Sequence, residues 1–188
     1  MTGIGESYWI LSGDQLDCLA SSRRQAILDL IATFGPVSAD DLARLSGMRR
    51  TTIYQHIAKL ESAGLVLASG QKGSGPKTEQ LYQTPARRMR LAKALDDDRN
   101  AASINRIAAA LLRQTQRDIE AGMVSGRKTA LGPETNLLFH RFVGTASGEN
   151  LTEINRKIEE LKALIYTETP AAGQPIAITI AMAPVDRV

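Results

Sequence analysis

Residues 38–64, SADDLARLSGMRRTTIYQHIAKLESAG, carry the fold of this chain. Ser38 stands where a helix wants an N-cap, and Asp41 at the third helical position makes a variant of the capping box just before Leu42 and Leu45. That helix is brief, because Gly47 stops it soon after Ala43. A second helix begins near Arg50 and spaces Ile53, Ile57 and Leu60 along one buried face until Gly64 closes it. Two short helices about a tight glycine turn make a helix-turn-helix. The residue types suit the geometry: Ala43 is small where the helices nearly touch, Gly47 permits a positive φ, and Ile53 packs the second helix back on the core.

Working outward, Ser22–Phe34 repeats Ile27, Leu28, Ile31 and Phe34 at a helical period, and Asp14–Ala20 reads as a shorter helix before it. Met1–Gly13 is expected to lack regular structure, with Tyr8, Trp9, Ile10 and Leu11 anchoring it on something apolar. Past Gly64, Leu65–Ser69 predicts a strand, Gly70–Lys77 a Gly/Ser/Pro/Lys loop, and Glu79–Thr84 the returning strand. Pro85–Leu95 is expected to be helical, and Asp96, Asp97 and Asp98 to cap a long helix running to about Ala121. Met123–Pro133 has linker composition. The tail predicts strand, helix, strand over 135–143, 152–165 and 175–183.

The fold class is therefore α+β. A winged helix-turn-helix domain spans 14–90 and a long helix spans 91–122. A small strand-helix-strand region follows at 134–184.

Charge supports a polyanionic partner. From Arg44 to Arg90 nine Lys/Arg face two acids, a local +7, whereas from Leu91 onward twelve bases balance twelve acids. A basic solvated surface would give the same count, so the constellation has to carry the distinction. In a winged helix the hairpin tip lies beside the DNA backbone, and Gln71-Lys72-Gly73-Ser74-Gly75-Pro76-Lys77 offers close backbone approach together with charge. With Ile53, Ile57 and Leu60 inward, the second helix turns Thr51, Thr52, Gln55 and Lys59 outward, with Arg50 and Tyr54 on the flank. Arg50 and Gln55 can bond guanine and adenine edges, and Thr51 or Thr52 can touch a thymine methyl or a phosphate. Arg49, Lys59, Lys72 and Lys77 suit phosphates. Tyr54 divides between core and DNA, and His56 is a packed or phosphate-touching imidazole.

Leu16–Leu30 followed by Met48–Val66, MRRTTIYQHIAKLESAGLV, resembles the ArsR-type winged-helix transcriptional regulators. The likeness covers about 15–90. LTEINRKIEELKALI and IAITIAMAP look more weakly like the α/β tail of a longer, metal-independent subgroup. The resemblance implies a homodimer that represses or activates transcription from double-stranded DNA with two half-sites, while a single cysteine, Cys18, and the lack of a basic leader make the reducing cytoplasm the expected compartment. The recognition helix, about 49–63, would lie in the major groove and the wing, 70–78, on the backbone. The long helix would pair with its twin or pack on its own domain, and the tail would add dimer surface or hold a small-molecule effector. Members usually place Ser or Thr at the recognition-helix N-cap, where this chain has Arg49.

Other chemistries find little support. Metal sensing in this family uses clustered thiolates, and Cys18, His56 and His140 are too scattered for it. Gly70 and Gly75 imitate a phosphate loop, but Pro76 separates the last glycine from Lys77 and a strand follows. No nucleophile stands beside either histidine, Glu159 and Glu160 point in different directions, and neither an enzyme nor a cofactor is expected. No run reaches the length of a membrane span, and Met1–Leu11 lacks a basic leader. The competing class is a winged-helix adaptor that binds protein instead of DNA.

Overall fold

A computed structural model describes residues 5–167 and 175–185, with a first compact unit, Met1–Gln116, and a second, Arg117–Val188. The first unit begins with β1 (Gly5–Trp9), α1 (Gly13–Leu19) and α2 (Ser22–Phe34). Next come β2 (Val37–Ser38), α3 (Ala39–Ser46) and α4 (Arg50–Ser62), then the hairpin strands β3 (Leu67–Lys72) and β4 (Glu79–Gln83). β5 (Ala86–Arg90), α5 (Ala92–Leu95) and the start of α6 (Ala101–Val124) complete it.

Local chemistry explains the helix boundaries. Ser12 and Gln15 form a full capping box on α1, each side chain accepting from the other's backbone N–H. Ser38 Oγ accepts from the Asp41 N–H at 3.2 Å to start α3, and Gly47 ends it at φ 68°. α4 ends in paired bonds, Gly64 N–H to Glu61 O and Leu65 N–H to Leu60 O, both 2.9 Å, with Gly64 left-handed at φ 68°. That closure turns Leu65 and Val66 into the core, 0% and 1% exposed, and β3 accordingly starts at Leu67 and extends to Lys72.

The core brings α1, α2, α3 and α4 together through Leu16, Ile27, Ile31, Leu42, Ile53, Ile57 and Leu60, each at most 1% exposed. A three-stranded antiparallel sheet in the order β2-β4-β3 flanks it. β2 pairs Val37 with Tyr82 and Ser38 with Leu81, which fastens the base of the wing to the start of α3. Gln25 Nε2 donates to Leu19 O (2.7 Å) and Ile107 O (3.1 Å). Ile104 and Ile107 of α6 lie partly buried on the same core.

Two expectations give way here. Residues 5–9 and 86–90 are strands, β1 and β5, paired in parallel from Gly5–Ala86 to Trp9–Arg90. The helix expected over 85–95 is thus confined to α5. Arg and Met are good helix formers, but a partner strand brought in from the N-terminal end outweighs that weak preference. Ile10 anchors the segment at 1% exposure, and the Trp9 ring takes Lys93 Nζ at 4.6 Å and the Arg90 guanidinium at 5.6 Å. Asp97 caps a 3₁₀ turn at Asp98–Asn100, by accepting from the Arg99 N–H, so α6 proper begins at Ala101 and runs on to Val124.

In the second unit, Asn136 closes a loop by accepting from the Thr129 N–H (2.7 Å) and donating to Arg127 O (2.9 Å). α7 (Gly148–Thr167) is longer than expected at both ends and carries ion pairs such as Lys162–Glu159 at 2.7 Å. The strands expected at 135–143 and 175–183 do not form: no ladder pairs these residues among those described. An alternating apolar pattern becomes a strand only when a neighbour supplies hydrogen bonds. No described helix is long and apolar enough to cross a membrane.

Candidate nucleic-acid interface

α4 is amphipathic with a narrow buried face, and its remaining surface is the candidate site. Thr51, Gln55 and Lys59 are exposed together, while Ile53, Ile57 and Leu60 are buried. Thr52 is half-buried on the His56 side of the helix, so it belongs to the edge of this surface and not to its centre. Ala58 and Ser62 are exposed on the same face as Gln55 and join the residues expected there. A small residue at 58 lets another molecule approach the helix axis, which helical spacing from Ile53 alone could have shown.

Arg49 is the N-cap of α4, with extended backbone at φ −66° and ψ 141° and no side-chain bond to the first turn. A Ser or Thr there would satisfy one of the first N–H groups itself. Arg49 leaves that helix end open to an anion and adds a cation beside it.

Arg50, exposed at the start of α4, has partners on both sides. Its Nε lies 2.6 Å from Asp40 Oδ1, an ion pair rather than an aligned hydrogen bond. Its Nη2 donates to the Tyr54 hydroxyl at 3.1 Å, and the guanidinium stands 5.5 Å from that ring's centroid. The Tyr54 hydroxyl, then the Asp40 carboxylate, push the Arg50 pKa above its ordinary value. Tyr54 is thus exposed and stacked on an arginine instead of being half in the core.

The wing lysines differ from each other. Lys72, at the end of β3, reaches Asp41 Oδ2 at 3.5 Å, and Asp41 also holds Arg44 at 2.5 Å. Burial acts to raise the Asp41 pKa, but the Ser38 hydroxyl and Lys72 outweigh it and hold it low. Lys77 is exposed in the 3₁₀ turn Gly75–Lys77 at the hairpin tip. Asp40, Asp41, Arg44, Lys72, Lys77 and Glu79 border a hollow of about 320 Å³ between α3 and the wing. Two of these acids, Asp40 and Asp41, stand just before the basic stretch counted from Arg44, so a linear count overstates the positive charge of this surface.

On the other flank of α4, His56 has both ring nitrogens shielded from solvent and no hydrogen-bond partner among the described residues. Burial first, then the charges of Arg24, Arg23 and Lys59, depress its pKa below the ordinary 6.5. A depressed imidazole costs no stability while neutral in both states. As pH falls below about 6.5 the unfolded chain takes up the proton first, and stability drops. Thermal melts of the wild type should therefore fall between about pH 7 and pH 5. His56→Gln should flatten part of that slope; an unchanged slope would place the acid sensitivity elsewhere.

Cys18 is buried behind the same helix, with its Sγ donating to Lys59 O at 3.5 Å, and burial pushes its pKa up, as for an inert thiol.

Residues 19–67 match a family described as a helix-turn-helix domain. No curated protein matches the chain. A solved structure of Staphylococcus aureus MarR in complex with salicylate and kanamycin aligns with 78% of this chain and 73% of its own, at 11% identity. Its TM-score of 0.29 is too low for that likeness to bear on either fold or function.

Proposed function

We propose that this chain, whose residues 19–67 match a helix-turn-helix domain and whose hairpin makes a wing, acts like the ArsR-type transcriptional regulators it resembles and binds double-stranded DNA sequence-specifically as a homodimer. α4 enters the major groove, where Arg50, Gln55 and Thr51 meet base edges, with Thr52 and Tyr54 at the margins of the contact. Arg49, Lys59, Lys72 and Lys77 hold phosphates, the last two from the wing. The observation that carries this is the outward face of α4, where exposed hydrogen-bonding side chains are flanked by cations at a helix start that no side chain caps.

Dimerisation falls to α6 beyond its packed start and to the second unit. Leu112 is 57% exposed, and Leu138, Phe139 and Phe142 are 60–91% exposed, a large apolar load to leave in water.

Two substitutions separate the roles. Arg50→Ala is expected to cost about 1–3 kcal/mol on a preferred site and to relax the preference at one position. Lys72→Ala should weaken all duplexes alike and shallow the log–log salt slope by up to about two, one phosphate contact being lost from each protomer. Fluorescence anisotropy on labelled duplexes, with the mass taken from light scattering, reads both. A dimer that binds no duplex at low salt would favour the adaptor.

A further inference from the structure

We propose that Asp40 is a positioning residue for base recognition: it holds the guanidinium of Arg50 so that its terminal edge, and not its flank, meets the DNA. This rests on the DNA-binding function proposed above. Asp40 stands in the first turn of α3 and Arg50 in the first turn of α4, so the pair crosses the helix-turn-helix. Asp40 Oδ1 sits against Nε, and the Tyr54 hydroxyl takes a hydrogen from Nη2. The Nη2–Tyr54 bond is the one hydrogen bond the guanidinium donates among the described residues, and Glu79 adds a second negative charge near Arg50. Nη1 and the remaining hydrogen of Nη2 are the guanidinium donors left to meet the O6 and N7 of a guanine.

Stability does not explain the pair. The Arg50 and Asp40 side chains keep 54% and 40% of their surface in solvent, although the contacting Asp40 Oδ1 is itself shielded, and ion pairs at such open sites add little to folding. Near a polyanion the carboxylate is a liability, because it lowers the attraction of the whole surface. Its benefit is discrimination. An unrestrained arginine at a helix start can swing to the nearest phosphate and bind any sequence equally well. Here that swing would leave Asp40 unpaired against the phosphates, a penalty paid only in the non-specific arrangement. Asp41 lies one residue along and pairs with Arg44 and Lys72 instead of Arg50, so it serves as a charge-matched control.

The test enriches a randomised duplex pool on full-length protein at low salt, using wild type, Asp40→Asn, Asp41→Asn and Arg50→Ala, followed by sequencing and by anisotropy on a random duplex. Arg50→Ala should erase the preference for guanine at one base pair of each half-site. Asp40→Asn should cut discrimination at that same base pair by roughly tenfold while tightening binding to random duplex. Asp41→Asn should tighten random binding and keep the preference. Asp40→Glu should restore part of what Asp40→Asn loses. Equal enrichment by Asp40→Asn and wild type overturns the proposal, as does an Asp41→Asn profile matching that of Asp40→Asn, or an unaltered preference in Arg50→Ala. A wild type that enriches nothing and binds no duplex overturns DNA binding itself, and the role of Asp40 with it.

Discussion

DNA affinity is expected to fall by roughly a thousandfold or more as salt rises from about 50 to about 200 mM. The magnitude follows from the number of cations placed to meet phosphates. In the proposed complex one protomer would offer Arg49, Lys59, Lys72 and Lys77, and two protomers on two half-sites would make about eight contacts, each releasing condensed counterions. A log–log slope near −7 is the corresponding expectation. Two features pull it down. Lys72 is already paired with Asp41 and exchanges one anion for another, and Asp40 and Asp41 face the same polyanion. Equilibrium titrations at several salt concentrations measure the slope directly. A slope near −3 to −4 would describe one protomer on one half-site, and a flat titration would sink the electrostatic account.

Ile53→Ala is expected to destabilise the first unit by roughly 2–5 kcal/mol. Ile53 is 0% exposed and belongs to one continuous cluster with Leu16, Ile27, Ile31, Leu42 and Ile57. Removing its outer carbons forfeits their burial and leaves a void that helices fixed by capping bonds and a Schellman closure cannot readily fill. Against a total of about 5–15 kcal/mol for a domain, that loss is large. Urea unfolding followed by far-UV circular dichroism would show it as a lower midpoint with an unchanged slope. Gln55→Ala, two residues further along the same helix on the outward face, should stay within about 0.5 kcal/mol. A small loss at Ile53 would mean that α4 is not pinned by this side chain, and the orientation of its outward face would no longer follow from the core.

What was legible in the sequence was local. Ser22–Phe34 came out to the residue because its period and its stop, Gly35-Pro36, lie within one stretch of chain. The turn at Gly47 and the cap at Ser38 were readable for the same reason, and with them the face of α4 that points outward. β1 and β5 were hidden because each is a strand only by virtue of the other, and residues 86–90 have a composition that suits a helix equally well. The tail shows the converse, with alternation at Ile176, Ile178, Ile180 and Met182 but no described partner to turn it into a ladder. The candidate site failed to be legible in the same way. Arg50 and Lys72 were visible as cations, whereas the acids that occupy them, Asp40 and Asp41, read only as the acidic first turn of a helix.

The parallel pairing of β1 with β5 also bears on how the molecule can be cut. Ile10 N–H bonds Arg90 O at 2.9 Å, so the chain before α1 and the chain after the wing hold each other in place across the whole recognition unit. A fragment begun at residue 14 would strip β5 of its neighbour and uncover a row of backbone donors and acceptors, an invitation to stick to other copies. It would also lose Ile10 from the core and leave the Trp9 cations, Arg90 and Lys93, without their ring. A piece meant for crystals or spectra should therefore carry both strands, and should continue into α6 past Ile107, whose carbonyl Gln25 holds. Where the helix-turn-helix ends as a motif is not where it ends as a folding body.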